Sequence, residues 1–256
     1  MKFFLIVILK VDLNFMNILI VGATGVVGRE MIRCLEIRDF PISSLRLAAS
    51  ARSKGQIIKT LFGDIVIEEI NSVVFEGVDI ALFAAGGDIS SEWAPQAVKA
   101  GCLVIDNSSH FRYQNNVPLV IPEINSKEAL RHQGIIANPN CTTAIAALPL
   151  WVLEQRYGLK KVIVSTYQAV SGAGKAAMDE LEQQIYEYNL KEPFTIKNFA
   201  YQILGNIIPH IDVFQENWYT KEEMKMVWET RKIFSRPDLQ ISCTAVRVPI
   251  MRAHSE

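Results

Sequence analysis

NILIVGATGVVGREMIRCL, residues 17–35, reads as a strand, a glycine turn and a helix. The run NILIV at 17–21 is continuously apolar, the pattern of a strand buried on both faces of a parallel sheet. Val27, Met31 and Leu35 then recur at helical spacing. Between them Gly22, Gly25 and Gly28 form G-x-x-G-x-x-G. Glycines at these points let the backbone come close to a pyrophosphate, whose charge suits the open amides and dipole of a helix N-terminus. A tight structural turn is the competing reading.

Working outward, short apolar runs at 45–49, 78–85, 103–105 and 117–121 read as further strands, and 91–100 has helical spacing. Strands alternating with helices imply an α/β fold with a parallel sheet covered on both faces. A second section opens near Asn138. Asn140 can cap a helix running from Cys141 towards Tyr157, with Pro149 placed to kink it. Residues 161–168 are strand-like, 173–188 helical, 220–234 a charged amphipathic helix, and 241–251 again strand-like. The boundaries are read as an N-terminal extension at 1–15, a nucleotide domain at 16–138 and a catalytic domain at 139–256. The extension carries an apolar run at 3–9 that is too short to span a bilayer. The segment is read as an extension or an upstream start codon, with a short extra strand or an anchor as the alternative. A domain seldom stops just after a strand rich in polar residues, so further C-terminal chain is expected beyond Glu256.

The 256 residues are 50% hydrophobic and 21% charged with a net charge of -1, which gives no electrostatic reason to expect nucleic acid or an anionic membrane as partner. Small molecules are the expected ligands. Cys34, Cys102, Cys141 and Cys243 lie far apart, without zinc-site spacing or the density of a disulfide scaffold. No metal is expected, and a reducing, cytoplasmic setting is.

After the second strand the sequence AASARSK at 48–54 carries no acid to hold ribose hydroxyls. Arg52 with Ser50 and Ser53 suits a 2'-phosphate, so NADP is expected over NAD; a solvated basic turn is the alternative. NPNCTT at 138–143 places Cys141 in the first turn of a helix, where the dipole favours the thiolate. The adjacent Asn140 can point amide donors at an oxyanion. Gln168 ends a strand before a Ser-Gly-Ala-Gly turn. Arg247 and His254, seven apart, share a site only if the chain bends between them. Pattern alone gives His254 no role. Glu222 and Lys225 share a helix face, as an ordinary ion pair also would. Arg112 lies in a polar loop where anion ligands commonly sit.

The motifs GATGVVG at 22–28, ARS at 51–53, FAAGG at 83–87, DNSSHFR at 106–112, NPNCTT at 138–143, YQAVSGAGK at 167–175, IPHIDVF at 208–214, EEMKMVWETRKI at 222–233 and RVPIMRAHSE at 247–256 follow one order. In these the chain resembles the aspartate-semialdehyde dehydrogenase family from Met16 to Glu256. The resemblance implies a Rossmann-type domain followed by an α+β catalytic and dimerisation domain, here incomplete because the family continues past the HSE motif. It implies reduction of L-aspartyl 4-phosphate by NADPH in a homodimer or dimer of dimers. It makes Cys141 the nucleophile and His254 the general acid/base. Gln168 and Arg247 would hold the amino-acid part of the substrate, Glu222 its amino group, and Arg112 and Lys225 its phosphate. Thr24, Gly25, Val26, Val27, Arg52, Ser53, Ser171 and Gly172 would contact the cofactor. A reductase of N-acetylated glutamyl phosphate is a related alternative. An inactive remnant that only binds NADP or self-associates is another.

Overall fold

A computed structural model of the chain describes residues 16–256, so the reading of 1–15 as an extension lies outside the described residues. The chain divides into two compact units, the first ending at Pro139 and the second spanning Asn140–Glu256.

In the first unit the quoted stretch forms β1 (Met16–Val21) and α1 (Val26–Ile37). β1 is central because residues 18–21 are all buried, which only a strand with neighbours and covered faces can achieve. Around it lie β2 (Ile42–Ala49), β3 (Ile57–Thr60), β4 (Gly63–Glu69), β5 (Ile80–Phe83), β6 (Leu103–Asp106) and β7 (Ile135–Ala137). They form a seven-stranded sheet in the order β3-β4-β2-β1-β5-β6-β7, parallel except for the β3–β4 hairpin. Ile32 of α1 packs with Ile18, Ile20, Leu47 and Ile67, while Met31 and Leu35 close the same cluster. The helix α2 (Gly87–Lys99) packs on β5 and β6 through buried Ala94 and Ala97.

Residues 117–121 do not form the strand expected of them. Leu119 makes a single parallel bridge to Ala137, whose N–H donates to Pro118 O and whose carbonyl accepts from Val120 N–H. Pro118 has no N–H to extend a ladder, and Pro122 opens the short helix α3 (Pro122–Asn125). The segment is buried all the same, which accounts for its apolar sequence.

The second unit contains α4 (Cys141–Tyr157), β8 (Lys161–Gln168), α5 (Lys175–Leu190), α6 (Lys221–Phe234) and β9 (Gln240–Arg247). β8 and β9 pair in parallel along their whole length, with Gln168 opposite Arg247 at their C-terminal ends. A two-stranded ribbon is marginal alone. Here Ala146 and Leu150 of α4, Met226 of α6 and Val164, Ile241 and Cys243 of the strands make one core. α4 runs unbroken through Pro149. α6 starts with a capping box in which the Thr220 side chain accepts from Glu223 N–H and Glu223 reaches back to Thr220.

β9 ends at Arg247, four residues short of the expected limit. Pro249 cannot donate to a ladder, and Ala253 takes a left-handed φ of 74°. The chain thereby folds back so that Ser255 pairs antiparallel with Tyr167 of β8.

Candidate active site

Each unit contributes one constellation, and each is built differently. In the first unit Gly22 sits at φ 83°, and a β-carbon there would lie 2.9 Å from the carbonyl carbon and oxygen of Ala84. A β-carbon at Gly28 would lie 2.3 Å from Gly22 O. Backbone cannot yield to such overlaps, so both positions require glycine. The N-cap Gly25 supplies no side-chain cap, and the first turn of α1 carries no acidic residue. Among the described residues no side chain caps the amides of residues 26–28, which leaves them open to an anion. Thr24 Oγ1 lies 3.4 Å from Ser53 Oγ, which joins the glycine turn to the helical turn after β2. Ser53 is buried and Arg52 exposed beside it. These residues fit a phosphate-bearing dinucleotide.

Arg112, also in the first unit, is buried. Its Nε donates to Asn138 O at 2.9 Å and its Nη2 to Asn107 O at 2.7 Å. It thus braces Asn138, the first residue of the NPNC run. The loop it sits in is shaped by buried Asp106, which accepts from Ser90 Oγ, Ser108 Oγ and Ser108 N.

In the second unit the start of α4 is held by side chains. Asn140 is its N-cap: Oδ1 accepts from Thr142 N–H at 3.0 Å and from the Thr142 hydroxyl. Cys141 Sγ lies 3.9 Å from the same oxygen, and the residue is exposed. The contrast with Cys243 is instructive, since burial pushes that thiol up to about 12, with the charge of Glu223 adding to it. An exposed thiol at a capped helix start is the reactive kind, and a buried one beside carboxylates is inert.

Glu222 gathers the neighbouring groups. Its Oε1 accepts from Asn140 Nδ2 and Gln168 Nε2, each at 3.3 Å, and its Oε2 binds Lys225 Nζ at 2.9 Å. Lys225 also meets Asp212 at 2.9 Å. Burial lowers the Lys225 ammonium, but the two carboxylates outweigh it and raise it overall. An incoming anion at Lys225 would compete with both. The amide donors expected to face an oxyanion from Asn140 point instead at Glu222.

The bend between Arg247 and His254 brings both to the backbone of one residue, Ala169. Arg247 Nη1 donates to Ala169 O at 2.7 Å, and Ala169 N–H donates to His254 Nδ1 at 3.0 Å. Gly172 closes the arrangement, because a β-carbon there would lie 2.8 Å from Arg247 Nη1 and 3.2 Å from His254 Nε2. Ser171, in the same turn, donates its N–H to Met251 O. Burial pushes the His254 imidazole below its usual range, and the charge of Arg247 adds to that. Burial likewise lowers Arg247, opposed by Glu222 and Cys141, whose charges reach it. Gln168, Glu222, Arg247, His254 and Cys141 thus belong to one electrostatic neighbourhood.

The description "Semialdehyde dehydrogenase, NAD binding domain" matches residues 17–132, and "Semialdehyde dehydrogenase, dimerisation domain" matches 150–256. The aspartate-semialdehyde dehydrogenase of Bacillus subtilis is 48% identical over 248 residues, 94% of this chain and 72% of that protein. The chain belongs to the aspartate-semialdehyde dehydrogenase family. The enzyme of that name from Aquifex aeolicus is 46% identical, again over 94% of this chain and 72% of its own length. The crystal structure of aspartate semialdehyde dehydrogenase II from Vibrio cholerae complexed with ASA superposes with a TM-score of 0.91 at 44% identity, covering 94% of this chain and 72% of that one. The α/β architecture with a nucleotide-binding first domain and a dimerisation domain after it is therefore that of the aspartate-semialdehyde dehydrogenases. Membership makes the chain an oxidoreductase by family. No helix among the described residues is long and apolar enough to cross a membrane.

Three contributors escaped the sequence reading. Glu229 is fully buried and accepts the Asn140 backbone N–H at 2.6 Å. Its signal was its place seven residues after Glu222, on the buried stripe of α6 that includes Met226. Asp212 holds Lys225 from a loop. Ala169 acts through its backbone alone, which no side-chain motif can announce.

Proposed function

We propose that this chain converts L-aspartyl 4-phosphate to L-aspartate 4-semialdehyde with NADPH, through a thioester on Cys141. The step belongs to the cytoplasmic synthesis of lysine, threonine, methionine, isoleucine and diaminopimelate. The observation that carries the reading is the convergence of Gln168, Glu222, Arg247 and His254 on the helix start that presents an exposed thiol.

In this mechanism the Cys141 thiolate attacks the acyl carbon, and the bond to phosphate breaks as phosphate leaves with its electron pair. Arg247 and Gln168 orient the amino-acid end, with Glu222 facing its ammonium. Arg112 and Lys225 offset the charge of the departing phosphate. NADPH, when bound, supplies the hydride that reduces the thioester, and Thr24, Gly25, Val26, Val27, Arg52, Ser53, Ser171 and Gly172 are the residues that would hold it. NADP is favoured over NAD because Arg52 stands where an acid would select the free ribose. His254 accepts the Ala169 N–H at Nδ1, so its neutral ring carries the proton on Nε2. That N–H faces charge developing on the substrate oxygen. Collapse of the tetrahedral oxyanion restores the carbonyl and expels the Cys141 thiolate. Covalent capture divides one difficult reduction into easier steps. A homodimer, or a dimer of dimers, is the expected assembly.

The test is reduction of NADP by aspartate semialdehyde in the presence and absence of phosphate. Phosphate-dependent turnover that falls by about four orders of magnitude or more in Cys141→Ala is expected. A wild-type chain no faster than that variant would reject the proposal. Faster turnover of the N-acetylated glutamate semialdehyde would move the assignment to the related reductase.

A further inference from the structure

We propose that Glu229 is a positioning residue for Cys141, acting through the backbone N–H of Asn140. The inference rests on Cys141 as the nucleophile and adds a residue that touches none of the reacting atoms.

The N–H of an N-cap residue lies just outside the helix and gains nothing from the helical ladder. When buried it needs a partner. Asn140 is buried, and the partner is Glu229 Oε2, 2.6 Å away on α6 and 89 residues along the chain. The same asparagine is held from two other directions. Glu222 Oε1 accepts from its Nδ2, and its Oδ1 takes up the first-turn N–H and hydroxyl of Thr142. Glu222, Met226 and Glu229 lie on one buried stripe of α6, so a single helix face grips the residue before the nucleophile at both its side chain and its main chain. Held at its N–H, Nδ2 and Oδ1, Asn140 keeps its N-cap oxygen beside Cys141 Sγ.

Burying a carboxylate completely is costly, and an uncharged acceptor would suffice to fill the space. What glutamate brings is a strong acceptor at one distance. A carboxylate near a helix start also opposes the exposure of negative charge on a thiolate, so position and charge make opposite demands on Cys141. Two substitutions separate them. Glu229→Gln keeps an acceptor oxygen at the same reach and removes the charge. Glu229→Asp keeps the charge and withdraws the oxygen by one methylene.

The measurement is the rate of iodoacetamide modification of Cys141 at fixed pH, read on its peptide by mass spectrometry with exposed Cys34 as internal reference. It is paired with kcat and KM for the semialdehyde, and with a circular-dichroism melt of each variant. Glu229→Gln is expected to stay within about threefold of wild type in both alkylation and kcat. Glu229→Asp is expected to lose about tenfold in both, with KM little changed. Glu229→Gln as slow as Glu229→Asp, or Glu229→Asp as fast as wild type, overturns the proposal. Alkylation needs no turnover, so its pattern decides the role of Glu229 even in a chain that reduces no NADP.

Discussion

Two helix starts, those of α1 and α4, are prepared in opposite ways. At α1 the cap is Gly25, no side chain among the described residues caps the first amides, and the turn before it is shaped by contacts between backbone atoms. At α4 the cap is Asn140, whose N–H, Nδ2 and Oδ1 are all engaged by Glu229, Glu222 and Thr142. The first start is left open, as suits a site that receives a ligand's charge on its own amides. The second is closed, because its product is a placed sulfur rather than a set of free donors. A helix N-terminus is therefore a different tool according to what satisfies its amides.

The comparison breaks most severely at Gly28. A methyl group there would meet Gly22 O at 2.3 Å and Ala23 Cα at 2.7 Å, both backbone atoms. Gly28→Ala is expected to cost the first unit about 3 kcal/mol and to weaken NADP binding. Alkylation of Cys141 should be little affected; a melt unchanged from wild type would show that the turn relaxes more easily than its geometry indicates.

Arg247→Lys tests the second start without touching the first. Lysine has one compact cation where arginine has a planar fork, so it cannot hold Ala169 O and remain directed at a carboxylate. A fall of about thirtyfold in kcat/KM is expected, with NADP affinity retained; full activity in the lysine variant would remove Arg247 from the site.

The smallest effect is a pH dependence at His254. Its folded pKa is depressed by burial and by Arg247, so the folded state disfavours the proton that the unfolded chain accepts. Stability from this group is present above the unfolded value near about 6.5 and is lost as pH falls through the lower folded value. His254→Asn keeps an acceptor for the Ala169 N–H but does not titrate. Its loss of melting temperature between neutral and mildly acidic pH should be smaller than that of wild type. Equal losses in the two proteins would show that protonation of His254 carries no such penalty.

Legibility in the sequence follows the same division. The β1 turn and α1 could be read residue by residue, because a continuous apolar run, three glycines and a helical period are local signals. The β3–β4 hairpin was missed since Ile57 and Val66 are exposed and its turn is short. Residues 117–121 misled because burial, rather than strand pairing, made them apolar. In the second unit Asn140, Cys141, Glu222 and Lys225 could be singled out, but their joining could not. Gln168 to Glu222 spans 54 residues and Arg247 to Ala169 spans 78, distances over which periodicity says nothing. The bend between Arg247 and His254 was the exception, since an odd spacing along a strand requires one if the two are to share a site.

The most direct test of a placed, nucleophilic Cys141 is to supply L-aspartyl 4-phosphate without NADPH and search the cysteine peptides by mass spectrometry. An aspartyl group on the Cys141 peptide alone, removed by hydroxylamine and forming about tenfold more slowly in Glu229→Asp, is the expected result. Unmodified Cys141, or equal labelling of exposed Cys34, would contradict it.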